Sequence, residues 1–154
     1  MIREAGPEDA DLIAEEFWYP LATEMEPYSE LNELTADALE QARAGFAEVL
    51  TDDDRYDFLL ERDGTAVGHV SVEIGTRPTR KLGKYLAVLD LYVKEGFRGQ
   101  GHGTRLLRRV ETLAEDEDCD FVRVAAEWDN APARAFYERH GYEPKQAKYT
   151  GRLR

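Results

Sequence analysis

The sequence predicts an α/β protein in which one mixed sheet is flanked by helices. Three observations carry this. Tyr85–Val93 is a near-continuous apolar run, the mark of a strand covered on both faces. Two shorter runs before it, Tyr56–Glu61 and Ala66–Ile74, flank Arg62-Asp63-Gly64-Thr65, whose Asp-Gly pair signals a tight hairpin. After it, Gly99–Gly103 leads into a stretch with Leu106, Leu107, Val110, Leu113 and Ala114 on one helical face.

The remaining elements follow in order. Ile2–Ala5 reads as a short strand. Gly6-Pro7-Glu8-Asp9 opens a helix, with proline near its first position, acids in its first turn and an apolar stripe of Leu12, Ile13 and Phe17. Pro20 and Pro27 bracket what reads as an irregular stretch, Leu21–Tyr28. A second helix is expected over Thr35–Leu50. In Ala66–Ile74, Val70, Val72 and Ile74 alternate with His69, Ser71 and Glu73, which predicts one buried face. Asp90 interrupts the apolar Tyr85–Val93 run and needs a reason. Phe121–Ala126 reads as a buried strand, Asn130–His140 as a helix stopped by Gly141, and Tyr142–Arg154 as one or two edge strands. The order is β-α-α-β-β-β-α-β-α followed by the tail strands.

The chain of 154 residues suits one domain over residues 1–154, with no linker or repeat dividing it. No apolar run approaches the roughly 20 residues of a membrane span, and the start lacks the apolar centre of a signal peptide, so no membrane partner and a cytoplasmic location are expected. The lone Cys119 excludes an internal disulfide and, with no His beside it, reads as an inert residue. No paired Cys and His spacing suggests a metal. The net charge of −12 repels phosphate backbones, so no nucleic-acid partner is expected. Many aspartates and only five lysines give an acidic, halophile-like composition.

Val93–Thr104 carries the chemistry. Gly99, Gly101 and Gly103 leave backbone N–H groups uncovered at a helix start, and with the helix dipole they form an anion cradle suited to a pyrophosphate. Arg98 can add a charge-assisted contact, and His102 is loop filler or a phosphate contact. The Gly-x-Gly-x-x-Gly dinucleotide pattern is not met, because Thr104 stands where its third glycine belongs.

Arg98-Gly99-Gln100-Gly101-His102-Gly103 resembles the Arg/Gln-x-x-Gly-x-Gly/Ala motif of the GCN5-related N-acetyltransferases, the GNAT family. Asn130–Tyr142 resembles that family's second signature, Asn-x-x-Ala-x-x-Phe/Leu-Tyr-Glu-x-x-Gly-Phe/Tyr. The likeness is close over Ala66–Tyr142 and extends to residues 1–55 only in element order. Glu95 departs from the family's frequent proline. The resemblance implies a GNAT-like acyl-CoA N-acyltransferase fold with splayed central strands. It implies acetyl-CoA as co-substrate, no metal, and a small-molecule or protein amine as acceptor; homodimers are frequent in the family. It implies that main-chain groups of Leu91, Tyr92 and Val93 pair with the pantetheine arm, that Gly99, Gln100, Gly101, His102, Gly103 and Thr104 hold the pyrophosphate, that Asn130 touches the cofactor arm and that Phe136 packs beside it. It also implies Tyr137 as general acid. Asn130 reads equally as a helix N-cap, with Ala133 at the third position.

The base is open among Asp90, which shares a strand face with Tyr92 by period two, and Glu127, Glu73 and His69. Phe17, Trp18, Tyr19, Glu24, Met25, Glu26 and Tyr28 would suit a cationic acceptor through rings and carboxylates, or are core and surface acidity. The implied function is acetyl transfer to a primary amine by direct attack in a ternary complex. The alternative is an acyl-CoA-binding module without turnover, and a longer acyl chain is a third reading. If the acidic composition is a salt adaptation, thermal stability should rise steeply from dilute buffer to molar salt; full stability in dilute buffer contradicts it.

Overall fold

The structure is a computed structural model and describes residues 1–154. It contains β1 (Ile2–Glu4), α1 (Ala10–Ile13), α2 (Tyr19–Met25), α3 (Ala38–Val49), β2 (Arg55–Arg62), β3 (Thr65–Thr76), β4 (Lys84–Val93), α4 (His102–Asp116), β5 (Phe121–Val124) and α5 (Ala131–Arg139). The strands form one five-stranded sheet in the order β1-β2-β3-β4-β5. The first four pair antiparallel and β4 pairs parallel with β5, so the sheet is mixed, as the sequence predicts. No helix is long and apolar enough to cross a membrane.

Two cores sandwich the sheet. On one face Phe58, Leu60, Val70, Val72, Leu86 and Val88 meet Leu106, Val110, Leu113 and Ala114 of α4. On the other, Leu59, Ala66 and Tyr92 meet Ala10, Ile13, Ala14, Phe17 and Phe46 of the N-terminal helices. Both faces of β3 are therefore covered, and the expectation of a single buried face is corrected. His69 and Ser71 are as buried as Val70 and Val72, at 1% and 0% exposure. The Asp63-Gly64 turn takes positive φ at both positions, 52° and 78°, as a two-residue type I′ hairpin requires.

Pro20 does not open an irregular stretch. A π turn over Ala14–Trp18 precedes it, with the Tyr19 N–H donating to the Ala14 carbonyl. That wider turn sets Pro20 at the start of a new α-helical segment, where its missing N–H is tolerated, and helix continues to Met25. The tail is corrected as well. Tyr142–Arg154 forms no strand, which leaves β5 on the sheet edge with Arg123 exposed and its neighbours only half-buried.

A bulge in β4 resolves the position of Asp90. Ser71 faces Asp90 while Val72 faces Val88, so Leu89 is an extra residue, 42% exposed. Without it, strict alternation would put Asp90 beside Leu86 and Val88 in the α4 core. The extra residue reverses the parity: Leu91 and Val93 join the α4 face, while Asp90 and Tyr92 turn to the face that carries His69.

One ion pair fixes the first helical turn to the sheet. The Arg3 guanidinium grips both Asp9 carboxylate oxygens at 2.8 and 2.9 Å, and Asp9 also accepts the Gly6 N–H. The Arg3 hydrogen bond holds the Asp9 carboxyl below its ordinary range, against the opposing effect of burial. Asp9→Asn should cost about 1 kcal/mol at neutral pH, a modest value because Arg3 is one-third exposed and screened by water. A lowered carboxyl contributes stability above its unfolded value, so the difference from wild type should shrink as pH falls below about 4. Urea unfolding of both proteins across that range checks this; a pH-independent difference contradicts it.

Candidate functional site

The β4–β5 ladder runs from Tyr85↔Phe121 to Val88↔Val124 and stops at the bulge. Beyond it, β4 continues along β3 only. Lys94 N–H donates to the Val67 carbonyl on the β3 side, so alternation turns the main-chain groups of Tyr92 toward β3 and those of Leu91 and Val93 toward the open side. Of the three residues implied to pair with a pantetheine arm, Leu91 and Val93 have main-chain groups facing the gap. Tyr92 instead contributes its ring, packed edge-on to Phe17, and its hydroxyl donates to Glu24 at 3.1 Å.

The glycine loop lies where the gap meets α4. Gly99 and Gly101 hold positive φ of 73° and 82°. Gly101 is the N-cap of α4 and has no side chain to cap it, so the first N–H groups of a 15-residue helix stay available to an anion. Gly103 has a different reason: a Cβ there would lie 3.3 Å from the Phe136 ring, so its absence lets α5 seat against α4. Thr104 reinforces that joint, since its hydroxyl bonds His140 Nε2 at 3.0 Å and His140 Nδ1 donates to the Phe136 carbonyl at 2.7 Å.

Two loop side chains are committed elsewhere, and a third is buried. Arg98 Nε donates to the Val93 carbonyl at 2.8 Å, its Nη2 reaches Glu24 at 2.9 Å, and the group lies 5.0 Å from the Tyr92 ring centroid. Gln100 accepts from Arg62 at 2.6 Å. His102 is buried with both ring nitrogens unpartnered, and burial followed by the charges of Arg105 and Arg62 pushes its imidazolium pKa down. The cradle is therefore built of main chain. Asn130 caps α5, accepting the Ala133 N–H at 3.2 Å, as the N-cap reading expects.

Tyr137 on α5 lies near enough to Asp90 to feel its charge. Burial, and then the charge of Asp90, push the Tyr137 phenol up to about 12, so it is protonated at neutral pH. Asp90 is half-buried and its carboxyl is pushed above its ordinary range, chiefly by burial. The other base candidates differ. Glu127 accepts from Asn32 Nδ2 at 2.9 Å, tying the end of β5 to the loop after α2. Glu73 is exposed and lines a cavity of about 110 Å³ beside the bulge, with Tyr85, Leu89 and Arg123. His69 is fully buried.

Of the aromatic and acidic residues before Tyr28, Phe17 is 0% exposed and is core. Glu24 is held by Arg98 and Tyr92, and Glu26 accepts the Leu34 N–H at 3.1 Å. Cys119 is free and half-buried, and burial pushes its thiol up, which suits an unreactive residue.

Sequence reasoning missed a polar cluster beneath Asp90. Asp57 on β2 accepts from His69 at 2.8 Å and from Arg55 at 3.3 Å, and Arg55 donates to Ser71 at 2.5 Å. The available signal was polar residues at period two on one face of three adjacent strands: Arg55 and Asp57, His69 and Ser71, and Asp90. Only the pairing register shows that they meet.

The L-amino acid N-acetyltransferase AaaT of Escherichia coli (strain K12) is 27% identical over 82 residues, which are 53% of this chain and 49% of that protein. The thialysine N-epsilon-acetyltransferase of Bos taurus is 35% identical over 48 residues, 30% of this chain and 28% of that one. The matched stretches thus span half or less of these curated relatives. A possible acetyltransferase from Clostridium difficile 630 superposes with a TM-score of 0.79 at 26% identity, covering 99% of this chain and 97% of that one. A predicted acetyltransferase from Clostridium acetobutylicum, solved with acetyl-CoA, gives 0.74 at 17% identity over 99% and 96%. The model of the acetyltransferase (GNAT) family matches residues 15–142, the stretch that holds the bulged strand, the glycine loop and α5, and the chain belongs to that family.

Proposed function

We propose that the protein is an acetyl-CoA-dependent N-acetyltransferase that transfers the acetyl group to a primary amine by direct attack in a ternary complex. The observation that carries this is the meeting of three features at one gap. The main-chain groups of Leu91 and the N–H of Val93 are left open by the end of β4–β5 pairing, the uncapped start of α4 follows in the chain, and Asp90 and Tyr137 lie near enough for the charge of one to act on the other. An extended amide-bearing arm can pair with the strand, its pyrophosphate can rest on the N–H groups of His102, Gly103 and Thr104, and Phe136 and Asn130 flank the arm. The N–H of Leu91 or Val93 then polarises the thioester carbonyl. AaaT acts on L-amino acids and the bovine relative on thialysine by their names, and both acceptors are primary amines.

The proton ledger assigns the two ionisable groups. An ammonium acceptor must lose one proton before attack, and Asp90 takes it; a raised carboxyl is a stronger base than an ordinary one. Attack on the carbonyl yields a tetrahedral species whose nitrogen carries a further proton. As the C–S bond breaks, Tyr137 protonates the departing sulfur, and the nitrogen's proton restores the phenol. One proton is released per acetyl transferred. The order also helps the acid. A phenol at about 12 donates reluctantly, and one cause of that value is the negative charge of Asp90. Once Asp90 holds the amine's proton that charge is gone, so the phenol becomes a better donor when it is needed.

Tyr137→Phe should lower kcat about 100-fold while leaving acetyl-CoA affinity unchanged, measured by thiol release with a panel of primary amines and by calorimetry. An unchanged kcat removes the acid role. In wild type, activity should fall as pH drops through the raised Asp90 value, because the protonated carboxyl accepts nothing. Asp90→Asn should lose about 100-fold in kcat/KM and lack that acidic limb. Tight acetyl-CoA binding by wild type with no turnover on any amine would favour a binding module instead.

A further inference from the structure

The cluster beneath Asp90 has no role in the steps above. Resting on the reading of Asp90 as the base, we propose that His69, oriented by Asp57, shares with Asp90 the proton removed from the acceptor amine.

His69 lies on β3 between two carboxylates. The register sets Asp57, Ser71 and Asp90 side by side on β2, β3 and β4, with Leu59, His69 and Tyr92 in the next row on the same face. Asp57 and Asp90 are thus the two diagonal neighbours of His69, one on each adjacent strand. Phe17 from the π turn and Phe46 from α3 pack on the ring, at 5.7 and 6.2 Å between centroids. The charged and titratable groups around this site are Asp57 and Arg55 from β2, Asp90 and Tyr92 from β4, Tyr137 from α5, and Lys94 after β4, which stands over the Phe17 ring and pairs with Glu16 of the π turn.

The tautomer follows from Asp57. Burial opposes its charge, but the hydrogen bond from His69, the charge of that ring when protonated, the Ser71 hydrogen bond and the charge of Arg55 outweigh burial and hold the carboxyl below its ordinary range. An ionised carboxylate only accepts, so the 2.8 Å contact requires a proton on His69 Nε2. In the neutral ring Nδ1 then carries a bare lone pair. Nδ1 is buried and has no hydrogen-bond partner. The bare lone pair of Nδ1 is thus a free acceptor, with a carboxylate fixing the other side of the ring.

Charge balance points the same way. Arg55 compensates Asp57, leaving Asp90 as an unmatched negative charge beside a neutral imidazole. One proton makes the group neutral overall. Asp90 has no hydrogen-bond donor among the protein's own groups, so a proton arriving there can pass to Nδ1 through one ordered water. The ammonium N–H bond breaks, an O–H bond forms on Asp90, and that bond is exchanged for N–H at Nδ1. The imidazolium is stabilised by Asp57 and offsets the recovered charge of Asp90 that acts on Tyr137, and the proton returns through Asp90 to solvent when product leaves.

Nitrogen-15 NMR of the full chain, with its His69 signals assigned by His69→Gln, tests this without knowledge of the acceptor. At neutral pH, Nε2 should be protonated and Nδ1 bare, and Asp90→Asn should move the His69 Nδ1 chemical shift. A protonated Nδ1, or an Nδ1 shift indifferent to Asp90, overturns the proposal. With an amine accepted by wild type, His69→Gln and Asp57→Asn should each lower kcat about tenfold and displace the acidic limb of the pH profile, with acetyl-CoA Kd and thermal midpoint reporting on folding. Loss of turnover in Asp90→Asn without coupling to His69 rejects the sharing alone. Coupling with full turnover in Asp90→Asn rejects Asp90 as base, and the catalytic sharing falls with it.

Discussion

The geometry of the site depends on one extra residue in a strand. Leu89 breaks the alternation of β4 after Leu86 and Val88 have been committed to the α4 core. Two consequences follow from the same backbone event. The parity of the strand reverses, so a carboxylate that would otherwise be driven into an apolar core faces His69, Ser71 and the gap. The strand also leaves its parallel partner, so the main-chain groups of Leu91 and the N–H of Val93 lose the ladder, while the Val93 carbonyl is taken by Arg98. Burying unpaired strand groups costs free energy, and in the proposed function an extended substrate arm with amides of its own would restore what the ladder gave up.

The rest of the fold keeps that break in place. Apolar packing on both faces of β3 fixes the register of its neighbours, since a one-residue slip would exchange the two cores. Gly103 lets Phe136 approach α4, and Thr104 and His140 join α5, which carries Tyr137, to the start of α4. Arg98 braces the loop by joining the end of β4 to Glu24 on α2. The side chain that looks most like an anion ligand thus supports the main chain of the cradle.

Much of this was legible in the amino-acid order. The Asp63-Gly64 turn, the apolar stripe of α4 and the glycines before it each encode a local conformation, and local conformations can be read one residue type at a time. The glycine turn at the start of α4 and the place of Tyr137 on α5 were legible because they lie in motifs. What stayed hidden was non-local or compensated. Pro20 looks like a helix break until the π turn ahead of it is seen. The tail from Tyr142 has residues compatible with strands yet forms none. Asp57 looks like an ordinary acid in Tyr56–Glu61, and its bond to His69 depends on a register that no short window contains.

The most direct measurement is a crystal structure of the protein with an unreactive thioether analogue of acetyl-CoA. The account predicts the pantetheine arm along Leu91–Val93 in the β4–β5 gap, the pyrophosphate on the first N–H groups of α4, and the Tyr137 hydroxyl within hydrogen-bond distance of the sulfur. An arm bound away from the bulged strand, or a sulfur out of reach of Tyr137, would contradict it.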